Sequence, residues 1–257
     1  MKILVLMKMV PDIVEELEVA GDGRSLDQEY LRFIVNERDE YALEQALILK
    51  DRLQAAVTVV APEAPEVEDV LYTSRAKGAD RLIKVTGLPH GAGARATAAT
   101  LAATLPGIEG VLPADLVVSG CQSIDDLDGF VAPLLATALD LPYLGLVSRV
   151  AVEDGHAVVL REFAGGVMGR FEVTLPALLG IQGCEKPPRY VPVAKVRAAI
   201  GAGGIETVAA APAPAPAPLE ITAMAKPEAA GHAEMLEGST RDVAEKVADI
   251  LAARGLL

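Results

Sequence analysis

Through its first 140 residues the chain alternates short apolar runs with longer stretches of helical periodicity. ILVLM (residues 3–7), AAVTVV (55–60), RLIKV (81–85) and DLVVS (115–119) are compact runs rich in strand formers, the texture of strands buried on both faces of a parallel sheet. Between the first two, Tyr41, Ala42, Gln45, Ala46, Leu49 and Leu53 recur at helical spacing, so the pattern predicts a helix over 37–53. Asp39 and Glu40 fall in its first turn, where the dipole favours acids, and Asn36 stands as its N-cap. PEVEDVLYTSRAKGAD gives a second helix stopped by Gly78, GARATAATLAATL a third, and LDGFVAPLLATAL (127–139) a fourth. Strands and helices alternating over short links predict an α/β fold, a mostly parallel sheet with helices on both faces.

After about Val147 the texture changes. Alternating segments broken by EDG and AGG are hairpin signals, so an antiparallel excursion is expected here. From Ala198 the chain turns to small residues, and APAPAPAP (211–218) reads as an extended, semi-rigid spacer because each proline removes a backbone donor. Beyond it, STRDVAEKVADILAARGLL is an amphipathic helix, capped by Ser239 or Thr240, with Val243, Val247, Ile250 and Leu251 on one face and Gly255 at its end. The expected organisation is therefore an α/β domain over 1–197, an Ala/Pro-rich linker over 198–222, and an arm over 223–257 whose helix docks on a partner chain.

Composition narrows the partners. The 257 residues, 51% hydrophobic, are enough to bury a substantial core. A net charge of −13 excludes the clustered cations that nucleic acid or a polybasic membrane patch demands, leaving proteins and small molecules. Cys121 and Cys184 form no CxxC pair, too few for a disulfide framework or a cysteine metal site, and a reducing, cytoplasmic setting is expected. MKILVLMKMVPD meets Pro11 and Asp12 too early for a signal peptide, and no later run reaches the ~20 apolar residues of a bilayer span.

Candidate chemistry centres on GCQSIDDLDGF (120–130), which follows a strand-like run. Asp125, Asp126 and Asp128 lack the spacing of a calcium loop, and His90, His156 and His232 have no recognisable nucleophile beside them. One reading makes Asp125 and Asp126 caps of the next helix. The other is nucleotide binding, with phosphate held by backbone N–H groups near Gly129, Val131 and Ala132 while the carboxylates point toward ribose hydroxyls, loop amides or caps. Ligands of open α/β sheets sit at the carboxyl ends of strands, so the end of the first strand (Leu6, Lys8) and the NERD segment are further candidates. GAGARA from Gly91 matches a dinucleotide fingerprint weakly, because Asp115 begins the next strand instead of ending it.

Taken together, several ordered segments resemble the beta subunit of electron transfer flavoproteins over nearly the whole chain. MKILVLMKMVPD is similar to that family's opening, VNERDEYALEQALILKD to its N-P-x-D/C-E-x-A-x-E-x-A segment, and KGADRLIKV to its M-G-A-D stretch. DLVVSGCQSIDDLDGFVAP resembles D-L-x-L-x-G-K-Q-A-I-D-D-D-x-x-Q-x-G, and TLPALLGI with PPRY resembles L-P-A-x-x-x with E-P-R-Y.

The resemblance implies a Rossmann-like, adenine nucleotide hydrolase-like domain in a heterodimer whose alpha subunit holds most of the FAD. Such a chain is an electron carrier rather than an enzyme, passing electrons from flavin dehydrogenases to a downstream quinone oxidoreductase. It implies AMP as a structural nucleotide, or a second FAD in the electron-bifurcating branch. Carried over, the nucleotide contacts are Leu6, Lys8, Asn36, Glu37, Arg38, Asp39, Gly120, Cys121, Gln122, Ser123, Ile124, Asp125, Asp126, Asp128, Gly129, Phe130 and Val131. The dehydrogenase-docking contacts are Glu185, Pro188, Arg189 and Tyr190. Glu37 replaces the family's usual proline, Cys121 its lysine, Phe130 and Ala132 its later glutamine and glycine, and Glu185 the docking leucine. Val131 and Pro133 agree with the bifurcating pattern and Asp126 with the AMP form; AMP is the expected occupant. A stand-alone nucleotide sensor resembling universal stress proteins is the rival from another class.

Overall fold

The computed structural model describes all residues except 30, 89–91, 214–219, 228–230 and 232. His90, His232, the first glycine of GAGARA and most of the Ala–Pro spacer lie outside the described residues.

A nine-stranded sheet forms the centre, in the order β11-β5-β4-β1-β6-β10-β7-β8-β9. Its members are β1 (Lys2–Leu6), β4 (Ala56–Pro62), β5 (Arg81–Thr86), β6 (Leu116–Gly120), β7 (Tyr143–Glu153), β8 (His156–Phe163), β9 (Val167–Thr174), β10 (Ala177–Ile181) and β11 (Ile205–Ala209). A separate antiparallel pair joins β2 (Met9–Pro11) to β3 (Phe33–Val35). From β11 to β7 every pairing is parallel, and β1 aligns Ile3 with Val57 of β4 and with Leu116 of β6. The expected α/β architecture is therefore the observed one.

Two apolar layers hold helices to the sheet, and β1 feeds both because successive side chains point to opposite faces. Ile3 and Val5 pack with Leu43 and Leu47 of α1 (Glu37–Leu53) and Leu71 of α2 (Val67–Lys77). Leu4 and Leu6 pack with Leu101 of α3 (Ala94–Thr104) and Leu135 of α4 (Val131–Ala138). Past Tyr143 the chain makes the expected excursion: β7, β8 and β9 are antiparallel, turned at Asp154–Gly155 and Gly165–Gly166, all with positive φ. β10 then returns to the parallel sheet between β6 and β7.

Two expectations need correction. The fourth helix begins at Val131 instead of Leu127, because Leu127 (φ 55°) and Gly129 (φ 64°) are left-handed and cannot start a helix. Gly129 also has no room for a side chain, since a Cβ would come 2.8 Å from the Cys121 carbonyl oxygen. The boundary drawn at 197/198 runs through α5 (Val193–Ala202), and β11 extends the sheet alongside β5 where a linker was expected. The terminal helix, α6 (Thr240–Ala253), has the expected cap, with Ser239 and Asp242 bonding each other's backbone N–H, but none of its residues is buried.

Candidate functional site

The chain reverses its direction across the sheet at β1. From β1 the connections run outward through β4 and β5, and β6 then pairs with the other side of β1. Ligands of open α/β sheets bind in the crevice that such a reversal opens at the carboxyl ends of the two strands. Here a pocket with about 520 Å3 of empty space, open solvent at its mouth included, opens there on the α3/α4 face.

Asp39 is the hub of its floor. In the first turn of α1, its buried carboxylate accepts the Gly120 N–H at 2.6 Å on one oxygen and the Lys8 N–H at 2.9 Å on the other. Burial pushes its pKa up to about 7, against the opposing effect of the Gly120 and Lys8 amides. Gly120 is required because a Cβ there would lie 2.6 Å from an Asp39 oxygen. Asn36 is placed at the helix start as expected but makes no side-chain cap; its Nδ2 donates to the Gln122 carbonyl.

At the mouth, Lys8 Nζ donates to Asp125 at 2.8 Å, Asp126 at 3.2 Å and Ser123 Oγ at 3.2 Å. Burial works against the ammonium charge, but the bonds and charges of Asp125 and Asp126 outweigh it and raise the Lys8 pKa. The pair of aspartates therefore neutralises Lys8 and does not cap the following helix, although Asp126 also accepts the Asp128 N–H at 3.4 Å, while Asp128 receives the Phe130 N–H at 2.9 Å. Among the described residues no group of three His, Cys, Asp or Glu side chains could hold a metal.

Most of the nucleotide contacts expected from the sequence converge on this pocket. Leu6 and Lys8 line it from β1, Asn36 and Asp39 from the start of α1, and Gly120, Cys121, Gln122 and Ser123 from the end of β6. Asp126, Asp128, Gly129, Phe130 and Val131 complete the loop side. Glu37, Arg38, Ile124 and Asp125 are not among the lining residues. Glu37 is exposed and bonded to the Tyr41 hydroxyl, Ile124 is exposed, and Asp125 serves Lys8 from outside. Arg38 turns toward Cys121 Sγ and the Gln182 carbonyl. The Cys121 thiol is raised in pKa by burial, partly offset by Arg38.

Sequence reasoning missed most of the wall opposite the loop: Val60, Pro62, Thr97 and Leu101, with Ser119 beside them. Val60 and Pro62 were within reach, since they end the strand next to β1 and the carboxyl-end rule applies to them equally. Thr97 and Leu101 read only as the inner face of a helix.

The docking contacts divide. Arg189 is anchored internally, its guanidinium on Glu44 at 2.9 Å and Asp51 at 3.0 Å, with its own N–H on Glu44 at 2.9 Å. Glu185, 11% exposed, pairs with Arg52 and Arg149. Pro188 is half-buried, and Tyr190 is 84% exposed.

Residues 25–216 match the electron transfer flavoprotein domain. The chain belongs to the electron transfer flavoprotein family, in its beta-subunit branch. It is 35% identical to the electron transfer flavoprotein subunit beta of Clostridium acetobutylicum over 76% of this chain and 74% of that one. It is 29% identical to the subunit of the same name from Methylophilus methylotrophus over 98% of both. Similarity extends to the Caffeyl-CoA reductase-Etf complex subunit CarD of Acetobacterium woodii, 32% identical over 93% of both chains. The matched residues take in every strand of the parallel sheet except β1, and every pocket residue except Leu6, Met7 and Lys8. No helix among the described residues is long and apolar enough to cross a membrane.

Proposed function

We propose that this chain is the beta half of a heterodimeric electron transfer flavoprotein. With an alpha-type subunit holding FAD, it passes electrons from flavin dehydrogenases to a downstream acceptor such as a quinone oxidoreductase. The flavin supplies the redox chemistry; this chain supplies a docking frame and a nucleotide pocket, and makes or breaks no bond itself. Two free cysteines suit a cytoplasmic location.

The observation that carries the reading is the pocket at the β1/β6 crevice, with its apolar wall and backbone-rich loop. Leu6, Val60, Leu101 and Ala132 offer a slot for a flat base. Among the described residues Lys8 is the only cation lining it and is already neutralised, so a phosphate would rest on backbone donors. The first-turn N–H groups of Val131 and Ala132 have no helical partner and border the pocket. These residues fit AMP as a structural nucleotide. α6, with its apolar positions exposed, is the surface proposed to meet the alpha subunit, a feature for which a stand-alone sensor has no use. Tyr190 is proposed as the point of contact with the dehydrogenase, on a loop stiffened by Glu185 and Arg189.

A second FAD in the same pocket is favoured by one specific observation, the Val131-Ala132-Pro133 entry to α4. Pro133 removes an amide donor from the first turn and Ala132 narrows it, which disfavours a terminal phosphate; the likeness to CarD points the same way. The test is co-expression with the alpha-type subunit, denaturation, and mass spectrometric identification of the nucleotides released per heterodimer. One FAD with one AMP is expected; two FAD and no AMP would replace the simple carrier with a bifurcating subunit.

A further inference from the structure

Asp39 does something no other lining residue does: it ties together the two strands that form the crevice. One oxygen receives the N–H of Lys8, just beyond β1, and the other that of Gly120, the last residue of β6. These are the amides that a bound anion would take at the carboxyl end of such a sheet. The protein has filled that nest with its own carboxylate, so a ligand phosphate is directed away from the floor and toward the 129–132 turn. The same contact fixes the backbone of Lys8, and with it the ammonium that holds Ser123, Asp125 and Asp126 at the mouth. Floor and mouth thus hang on one side chain that is 4% exposed.

We propose that Asp39 is the positioning residue of the pocket: in its ionised form it sets the spacing of the β1 and β6 ends and the seat of Lys8, and nucleotide affinity follows its charge. The proposal rests on the reading that the pocket holds an adenine nucleotide. Two N–H donors aimed at two oxygens of one group are complementary to a carboxylate. A protonated carboxyl accepts both more weakly, and an amide must turn its NH2 toward one of the donors. The titratable and charged groups around it are Lys8 from the end of β1, Arg38 beside it on α1, and the Cys121 thiol from the end of β6; the Asn36 amide also favours the carboxylate. The carboxyl titrates at about 7, far above an ordinary aspartate, because it is buried. Its charge therefore changes across the range in which a cell operates.

The sign follows. Above about pH 8 the clamp is complete and affinity is constant. Below about pH 7 the nucleotide must bind a form that has lost a proton, and affinity falls by up to about tenfold per pH unit. Fold stability runs the other way, since a carboxyl with a raised pKa costs stability when ionised and this cost disappears as pH falls from about 7 toward the ordinary aspartate value.

The experiment uses the full-length heterodimer, freed of nucleotide. AMP and, in parallel, FAD are titrated calorimetrically between about pH 5.5 and 8.5, for the wild type and Asp39→Asn. Hydrogen exchange is followed by mass spectrometry over residues 1–10 and 115–125. The wild type should lose AMP affinity with falling pH, and Asp39→Asn should bind at least about tenfold more weakly at pH 8. In the variant only the shallower dependence of the phosphate itself, titrating at about 6, should remain. Exchange at both strand ends should quicken in the variant and, at low pH, in the wild type. Wild-type affinity in Asp39→Asn, or superimposable pH profiles, would overturn the proposal. The wild-type exchange profile needs no variant to fold. If neither nucleotide binds the wild type at any pH, the nucleotide reading fails, and unchanged exchange in the variant would separately remove the clamp.

Discussion

α1 and α6 are both amphipathic, both have acidic side chains in the first turn (three on α1, Asp242 alone on α6), and both were legible as helices from spacing alone. On α1, Leu43, Ala46, Leu47 and Leu49 are buried against the sheet. On α6 the equivalent stripe of Val243, Val247, Ile250 and Leu251 buries nothing completely, and Val247 and Ile250 stay over 40% exposed. The difference lies in the connections. α1 follows β3 after one residue and is followed by β4 after two, so it has no surface to cover except the sheet. Between β11 and α6 lie thirty residues, 210–239, and the described ones among them form no strand or helix. An apolar stripe specifies a helix and its sticky side, whereas the length of the link decides whose surface is within reach.

The sharpest way to break this comparison is to trim one stripe residue from each helix. Leu47→Ala should cost about 2–5 kcal/mol in urea unfolding of the chain, the usual penalty for a cavity in a packed core. Val247→Ala should stay within about 0.5 kcal/mol in the same measurement, while Val247→Asp should abolish stable association with the alpha-type subunit. A loss above 1 kcal/mol from Val247→Ala in the isolated chain would mean that α6 packs on its own domain.

The loop at 182–190 offers the same contrast at smaller scale, because its charges are divided between buried and open partners. Arg189→Ala strands the Glu44 carboxylate, only 5% exposed. We expect a cost of about 2 kcal/mol, below the ~3–5 kcal/mol of a fully buried pair because Arg189 itself is partly exposed. Glu185→Gln loosens contacts to two arginines that are about half exposed, and should cost under ~1 kcal/mol. Equal losses for the two would show that the loop is pinned as one network.

What the sequence reveals, and what it hides, divides along the same line. Periodicity placed α1 to the residue and the parallel strands nearly so, because each element carries its own pattern. It could not place β10 between β6 and β7, nor join β11 to β5, since those pairings link segments far apart in sequence. The glycines at 201, 203 and 204 read as the start of a linker, although they only turn α5 into an edge strand. In the site, the resemblance brought Lys8, Asn36, Asp39 and the 120–131 loop to one pocket. Which carboxylate would be floor and which mouth depended on contacts spanning 31 to 118 residues, and no local spacing encodes those. Glu185, carried over as a docking contact, is tied to Arg52 and Arg149 for the same reason.

The smallest effect tests what keeps α6 helical while no surface covers it. A helix without a packed face depends on its ends, since packing supplies most helical stability in folded proteins. Ser239 and Asp242 meet that need reciprocally: Ser239 Oγ accepts the Asp242 N–H at 3.3 Å, and Asp242 Oδ2 accepts the Ser239 N–H at 2.9 Å. Ser239→Ala should remove about 1 kcal/mol from the helix, seen as faster hydrogen exchange over 240–253 with no change in the unfolding midpoint of the sheet domain. The Ser239 backbone bond also holds the Asp242 pKa below its ordinary value. The cap is therefore complete above the ordinary carboxylate range and lost as pH falls through the depressed value, so the same exchange should quicken in acid. Association with the alpha-type subunit should weaken a few-fold in Ser239→Ala, because the partner must then order a frayed helix before it can cover it. Exchange over 240–253 that ignored both the substitution and the acid would mean that α6 already has a surface to lean on, and that the contrast with α1 is one of degree.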